Sequence, residues 1–268
     1  MARDIHSTAL IDPRVELPGS VTVGAYTRIQ HGVRLGDGAA VGDFCLLGGG
    51  PEAGKSGLVI GSESVIRSHT VIYGGCSFGD ALETGHHVVI RENTHAGKNL
   101  RVGNFSDIEG DCSIGDYCRF HGYVHVGKGS KIGHFVWLFS LVTATNDPLP
   151  PSSLARPVII GDGAVVCVGA LLMPGVELGA GAFVTAGSKA EGKIPNGAVV
   201  SGDKGDIVSH VANLIDMESG LRHPWMRHLK ERYPDECHPR IHDLMDMISK
   251  NKFSLELTKT LHNESPTN

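Results

Sequence analysis

The chain has 268 residues, 36 of them glycine, and a formal net charge of −5 at pH 7. This weakly acidic balance gives no reason to expect nucleic-acid binding or a membrane-surface role. No apolar run approaches the roughly 20 residues of a membrane span, and the first four residues do not start a signal peptide. We therefore expect a cytoplasmic protein that does not insert into a membrane.

With the exception of Thr84, an apolar residue recurs at every sixth position from Ile5 to Leu47, from Ile60 to Ala144 and from Ile160 to Val184. A second, mostly small residue follows each apolar one by four positions. Neither a helix nor a single strand gives a period of six. A fixed hexapeptide period is typical of a solenoid whose short strands wrap around one apolar core. About 28 such hexads, at three to a triangular coil, predict a parallel β-helix of about nine coils.

Two interruptions, residues 48–59 and 145–159, break the period. The first contains a P-loop pattern from Gly49 to Ser56, but a working P-loop must open a helix whose N-terminus binds phosphate. The apolar pattern resumes at once with Leu58, which predicts a loop between coils instead. The second interruption is rich in proline, and loops that interrupt a solenoid are often where ligands are handled.

The pattern changes after Val200, where apolar residues fall at helical spacing. The first such group is Ile207, Val211, Leu214 and Ile215, and the second is Ile241, Leu244, Met245 and Ile248. We predict a β-helix domain over residues 1–205 and a small helical region over residues 206–268. A helical cap would block pairing at the open end of the solenoid.

Four of the six cysteines occupy the small, inward position of their hexads. They are Cys45, Cys76, Cys112 and Cys118. A free thiol there acts as a small apolar group, and the spacing suits neither zinc nor disulfides. We predict core cysteines.

Residues eighteen apart stack on adjacent coils of such a helix, about 4.8 Å from each other. Asp107 and His125 are eighteen apart and both point outward in this register. A neighbouring carboxylate raises the pKa of an imidazole and orients the ring. We predict that His125 is a catalytic base and that Asp107 either supports it or holds the substrate amine. A surface pair without chemistry is the alternative.

Two further columns follow from the same spacing. The first contains four rings, those of His69, His87, Phe105 and Tyr123. Outward rings of this kind could stack on a nucleotide base or form a subunit interface. In the second column Glu109 lies over Arg91, which predicts either a lateral salt bridge or an arginine free to face a substrate diphosphate.

With the hexads placed, the chain resembles the left-handed β-helix acyltransferases, which transfer an acyl group from a thioester to a sugar or amino acid. The segments Thr84–Glu92, Ile108–Asp111 and Thr145–Pro151 are similar to motifs of enzymes that acylate amino sugars carried on nucleotides. The resemblance implies a left-handed homotrimer with sites between subunits. It also implies acyl-CoA as the donor, either acetyl-CoA or a short 3-hydroxyacyl-CoA, and no metal.

The resemblance also suggests where each substrate binds. Candidate nucleotide-sugar contacts are His86, His87, Arg91, Glu92, Glu109, Tyr123, Asn146 and Asp147. The acyl-CoA arm would lie along the last coils, near Gly169, Ala170, Ala186, Gly187 and the phosphate-binding Lys204.

Three other functions stay open at this point. The order of a β-helix followed by a helical C-terminal region also resembles the acyl-carrier-protein-dependent UDP-N-acetylglucosamine O-acyltransferases. However, Gly110 occupies the position at which that family has its catalytic histidine. A γ-type carbonic anhydrase would need His86 or His87 together with His121 and His125 as zinc ligands. The last alternative is a scaffold without catalysis.

Overall fold

A computed structural model describes residues 4–51, 55–218, 220 and 231–250. Within them, short strands form three sheets, which we name A, B and C. Sheet A contains β1 (Asp4–Ile5), β3 (Thr22–Val23), β6 (Ala40–Val41), β9 (Val65–Ile66), β12 (Glu83–Thr84), β15 (Arg101–Val102), β18 (Arg119–Phe120), β21 (Trp137–Leu138), β24 (Val165–Val166), β27 (Phe183–Val184), β30 (Ala198–Ser201) and β31 (Asp206–His210).

Sheet B contains β2 (Leu10–Ile11), β4 (Arg28–Ile29), β7 (Leu46–Gly49), β10 (Val71–Tyr73), β13 (Val89–Ile90), β16 (Asp107–Ile108), β19 (His125–Val126), β22 (Thr143–Ala144), β25 (Leu171–Leu172) and β28 (Lys189–Ala190). Sheet C contains β5 (Val33–Leu35), β8 (Leu58–Ile60), β11 (Ser77–Phe78), β14 (His95–Ala96), β17 (Ser113–Ile114), β20 (Lys131–Ile132), β23 (Ile159–Ile160), β26 (Glu177–Leu178) and β29 (Lys193–Ile194).

The chain runs through sheets A, B and C in turn, and all strands except β31 pair in parallel with their sheet neighbours one coil away, as Asp107 does with His125. The predicted fold class, a parallel β-helix with a small C-terminal helix, is confirmed. The coil count was too low, because the solenoid has about eleven turns rather than nine. Three inward positions were missed: Ala190, Ile194 and Val200 continue the core after the spacing becomes irregular.

The core consists of the apolar hexad residues, and the largest of them, such as Ile66, Ile108 and Leu138, are at most 1% exposed. Burying each such side chain contributes about 1.5–3 kcal/mol. The prediction for the cysteines is confirmed. Cys45, Cys76, Cys112 and Cys118 are free and buried in this core.

At the first interruption β7 ends at Gly49 and the next described element is strand β8, while residues 52–54 of the expected loop lie outside the described residues. Within the described part of the chain, we find no helix that is both long enough and apolar enough to span a membrane.

The helical spacing after Val200 is only partly confirmed. Ile207 lies in strand β31, which pairs antiparallel with β30 and covers the open edge of sheet A. A 3-10 turn follows at Val211–Asn213, and a second one lies at Asp235–Cys237. The helical prediction was wrong for Ile207 because edge pairing outweighs local spacing. Residues 219, 221–230 and 251–268 of this region lie outside the described part.

The second helical group is confirmed as helix α1 (His238–Lys250). Its apolar side chains, including Ile241 and Leu244, pack with Tyr117 and Phe135 at the corner between sheets C and A. The C-terminal region is therefore docked on the side of the solenoid.

Candidate active site

The predicted pair forms on sheet B. Asp107 in β16 and His125 in β19 face each other across adjacent strands, and His125 Nδ1 lies 2.8 Å from Asp107 Oδ2. One residue away, the buried Ser106 hydroxyl accepts a hydrogen bond from the Val124 amide and donates one to the His121 carbonyl. This internal bond fixes the register of the two strands that carry the pair.

The hydrogen bond to Asp107 raises the pKa of His125 above its usual value, and the negative charges of Asp107 and Glu109 act in the same direction against partial desolvation. A carboxylate can only accept, so Nδ1 carries the shared hydrogen and Nε2 keeps its lone pair when the ring is neutral. The neutral imidazole can therefore accept a proton at Nε2.

Glu109 completes a cluster of three side chains. Asp107, Glu109 and His125 offer ligand atoms that all lie within 4.8 Å of one another. Carboxylates with an imidazole can bind a divalent cation, but here the Nδ1 of His125 already bonds Asp107. The same arrangement suits proton transfer without a metal, and the predicted absence of a metal stays a prediction.

Arg91 does not form the lateral salt bridge with Glu109 that was one of the two arrangements expected for this column. Its guanidinium binds the adjacent Glu92, with Arg91 Nη2 2.9 Å from Glu92 Oε1. Glu92 is only 8% exposed, and a buried carboxylate needs a partner more than the half-exposed Glu109 does. Both candidate substrate contacts are thus engaged with each other.

The predicted column of rings exists and is longer than expected. Six rings stack along the corner between sheets A and B, with centroids 4.5–5.2 Å apart. We call these residues the aromatic ladder: Tyr26, Phe44, His69, His87, Phe105 and Tyr123. All six have φ between 55° and 62°. Because adjacent rings cover each other's faces, a nucleotide base cannot stack between them, and the ladder presents ring edges to the outside.

The adjacent residues His86 and His87 lie on different sides of this corner. His87 and Tyr123 belong to the ladder, whereas His86 lies on the sheet A side, with its Nδ1 2.8 Å from the Ser68 hydroxyl. Phe105 and Tyr123 each lie two residues before a member of the catalytic pair. The corner therefore brings His87 and Tyr123, but not His86, into line with the Asp107–His125 face.

The second interruption is held by its own side chains. The Asp147 carboxylate accepts hydrogen bonds from the amides of Leu149 and Ser152, both at 2.9 Å, and from the Ser152 hydroxyl at 2.7 Å. The Ser152 hydroxyl bond is the largest cause of the lowered pKa of Asp147. Asn146 donates to the Lys128 carbonyl at 3.3 Å. The described hydrogen bonds of Asp147 therefore stabilise its own loop.

The predicted acyl-CoA contacts continue the same corner beyond the ladder. Gly169 and Gly187 are exposed, with φ of 68° and 67°, and no heavy atom lies within 4 Å of where a Cβ would be. Their amides already bond carbonyls of the preceding coil, so they are not free donors. Ala170 is buried and Ala186 is exposed. Lys204 is exposed in the turn between β30 and β31.

The histidines of the zinc alternative lie on two sheets. His121 follows β18 of sheet A and stacks on Phe139 with centroids 4.5 Å apart, whereas His125 belongs to sheet B. Burial lowers the pKa of His121. Within the described part of one chain, the clustered metal-type ligands are instead the Asp107, Glu109 and His125 set.

Sequence reasoning missed a cavity on the outer side of sheet A. It has a volume of about 440 Å³ and is lined by Arg101, Arg119, Phe120, His121, Trp137, Arg232 and Tyr233. Arg101, Arg119 and Trp137 are eighteen apart, so the column rule could have found that wall. No periodic signal could have indicated Arg232, which comes from the C-terminal region.

Comparison with known proteins finds distant relatives, and no protein-family profile matches the chain. The bifunctional protein GlmU of Listeria welshimeri is 26% identical over 187 residues, which cover 67% of this chain and 37% of that protein. The acyl-[acyl-carrier-protein]–UDP-N-acetylglucosamine O-acyltransferase of Brucella ovis is 29% identical over 147 residues, which cover 48% of this chain and 44% of that protein. The chain thus spans less than half the length of these relatives.

Among solved structures, the UDP-N-acetylglucosamine acyltransferase of Arabidopsis has a TM-score of 0.49 at 18% identity, covering 74% of this chain and 71% of that one.

Proposed function

We propose that the protein is a CoA-dependent N-acyltransferase that acylates the amino group of a nucleotide-linked deoxy-amino sugar. The observation that carries the proposal is the hydrogen bond between His125 and Asp107 on an outward face, with Glu109 beside it. An amine that attacks a thioester must lose a proton, and a positioned imidazole is the commonest group to accept it.

The proposed reaction uses the two nitrogens of His125 for different tasks. Nδ1 donates to Asp107, which holds the ring, while Nε2 takes a proton from the amine as its nitrogen bonds to the thioester carbonyl. The tetrahedral intermediate then expels the CoA thiolate as the carbon–sulfur bond breaks. The imidazolium returns the proton to the thiolate, so the products are an amide and free CoA. The accumulated negative charge of Asp107 and Glu109 stabilises the imidazolium.

The rival reaction is O-acylation of UDP-N-acetylglucosamine from an acyl carrier protein, the activity in the name of the Brucella ovis relative. Gly110 argues against it. Its φ is 95°, and a Cβ there would lie 2.8 Å from the Glu92 carbonyl oxygen. A histidine at this position would therefore be strained, and the resemblance expects the catalytic histidine of that reaction here.

A homotrimer with sites between subunits is part of the proposal, as is a cytoplasmic location. The aromatic ladder supports the assembly, because it leaves Phe105 50% and Tyr123 57% exposed on one edge of the prism, and contiguous exposed apolar surface is typical of protein interfaces. Light scattering of the F105S/Y123S double variant tests this. We expect a smaller particle than the wild type, and an unchanged particle mass would remove the ladder from the interface.

The reaction is tested with a panel of UDP-, dTDP- and GDP-linked amino sugars. Each is incubated with acetyl-CoA or 3-hydroxybutyryl-CoA, and the products are identified by mass before and after mild base. We expect a base-stable amide. A base-labile ester formed only from UDP-N-acetylglucosamine and an acyl carrier protein would favour the rival reaction.

The pair itself is tested by H125N and D107N. Loss of a general base costs about 10²–10⁴-fold, so we expect each variant to lower kcat at least about tenfold with the particle mass unchanged. His95→Asn is the matched control, because this outward imidazole on sheet C bonds only the Ser77 hydroxyl, at 2.7 Å, among the described contacts. Near-wild-type turnover in both site variants would exclude the pair as catalytic.

A further inference from the structure

We propose that the cavity on sheet A between Arg101, Arg119 and Arg232 binds the diphosphate of a nucleotide, with the base against Trp137. The cavity is distinct from the Asp107–His125 face, which belongs to sheet B. Its volume of about 440 Å³ falls within the range of about 300–1,000 Å³ that is usual for small-molecule sites.

The first observation is the charge of the lining. Three arginines line the cavity, and none of its described lining residues carries a carboxylate. Guanidinium groups bind phosphate oxygens in a bidentate manner and are the usual choice for phosphate recognition. The lining therefore selects an anion with several oxygens.

The second observation is that the central cation has neutral partners. Arg119 donates to the backbone and side-chain oxygens of Asn99 and to the Cys118 carbonyl. Burial is the largest effect and lowers the pKa of Arg119, as does the charge of Arg101, whereas Tyr233, Cys118 and Glu83 act in the opposite direction. Among its described contacts Arg119 bonds no carboxylate, so a bound anion would offset part of the cost of its desolvation.

The carboxylate that pairs with Arg101 is shared with a second arginine. Glu83 lies 3.1 Å from Arg101, but its other oxygen lies 2.7 Å from Arg67. One carboxylate is therefore shared between two guanidinium groups, while Arg119 and Arg232 add two more charges nearby. These four arginines together with Glu83 therefore carry a net positive charge.

The third observation is an aromatic wall. The Arg232 guanidinium lies 5.4 Å from the centre of the Trp137 ring. The indole nitrogen of Trp137 donates to the Tyr233 hydroxyl, which in turn donates to the Tyr117 carbonyl, so the ring is held in place. His121 lies beside it, with ring centroids 6.1 Å apart. A fixed indole next to arginines suits a planar base joined to phosphates.

Two sources could supply such a diphosphate: the nucleotide of a sugar nucleotide, or the 3′-phosphorylated ADP part of CoA. The inference does not depend on acyl transfer, because binding is measured without any reaction. The probes are pyrophosphate, UDP, dTDP and CoA, each of which contains a diphosphate, and calorimetry at low ionic strength measures their affinity. Replacing the other of the two tryptophans with phenylalanine (W225F) leaves Trp137 as the tryptophan whose fluorescence reports binding.

We expect pyrophosphate to bind the wild type, and R101Q and R232Q each to weaken that binding at least about tenfold, since each variant removes a charge-assisted donor to the phosphate oxygens. R34Q, an exposed arginine on sheet C, is the matched control and should bind as the wild type does. We also expect the nucleotide of the correct source to bind more tightly than pyrophosphate and to quench Trp137.

The results that overturn the proposal are equally direct. No heat of binding for any of the four probes would exclude the site. Equal affinity in R101Q, R232Q and the wild type would place the anion elsewhere. Pyrophosphate binding without any gain or quenching from the three nucleotides would reject the nucleotide and leave a simple anion site. Because no turnover is read, a failed acylation assay cannot be mistaken for any of these results.

Discussion

Replacing Gly110 with alanine should destabilise the protein more than the same change at another corner. Gly110 has a φ of 95°, whereas the fourteen described residues with side chains and positive φ lie between 50° and 65°. A Cβ at Gly110 would be 2.8 Å from the Glu92 carbonyl oxygen, which also accepts the Asp111 amide at 2.9 Å. That oxygen cannot move away without losing a hydrogen bond.

The magnitude follows from two costs. A residue held at such a φ costs about 1–3 kcal/mol, and forcing an extra methyl into a packed position costs about 1–3 kcal/mol. We expect G110A to lose about 2–6 kcal/mol, the sum of these two costs, which lowers Tm by roughly 4–24 °C for a domain of this size. Circular dichroism during heating measures the change.

The control is Gly192→Ala. Gly192 also has a positive φ, 67°, but no heavy atom lies within 4 Å of its added Cβ. It should lose only about 1–2 kcal/mol, the cost of the left-handed conformation alone. If G110A is as stable as G192A, the steric reasoning is wrong. A folded G110H variant that gains O-acyltransferase activity would also undermine the preference for an amine acceptor.

Three further predictions concern the site and the core. Because neutral His125 is the base, activity should rise with pH through its pKa, and D107N should move that rise to lower pH by removing the bond that raises this pKa; identical pH–rate profiles would contradict the pairing. Burial raises the pKa of Cys118 to about 12 and that of Cys76 to about 11, so a thiol reagent should modify both only after unfolding, and rapid modification of the native protein would disprove their burial. Asp147→Ala should speed proteolytic cleavage within residues 145–159, because the carboxylate closes that loop; an unchanged cleavage rate would show that the prolines alone hold it.

The pairing of Asp107 with His125 could be predicted because the period of six determines which way each side chain points and on which coil it lies. Once one apolar residue is placed inward, each eighteenth residue must lie one coil higher on the same sheet. The same arithmetic predicted four rings of the aromatic ladder. It also would have found Tyr26 and Phe44 if the shift caused by the insertion at residues 48–59 had been taken into account.

Column spacing does not determine which partner a flexible side chain selects. Arg91 and Glu109 are neighbours by register, yet the guanidinium turns to Glu92, since the more deeply buried carboxylate has the greater need for a counter-charge. Register fixes backbone neighbours, whereas burial and rotamer choice fix the contact. The same limit applies to Asp147, whose hydrogen bonds close its own loop.

The six-residue period does not extend into the C-terminal region, so it cannot predict where that region docks. At the corner between sheets C and A, the rings of Tyr117 and Phe135 stack much as the aromatic ladder does, with centroids 5.8 Å apart. They are only 6% and 2% exposed because Tyr233 and helix α1 cover them. The repeat thus produces ring columns at two corners, but tertiary docking decides which one is buried. That docking also brings Arg232 to Trp137, so the nucleotide cavity exists only where a non-repeating segment meets the solenoid.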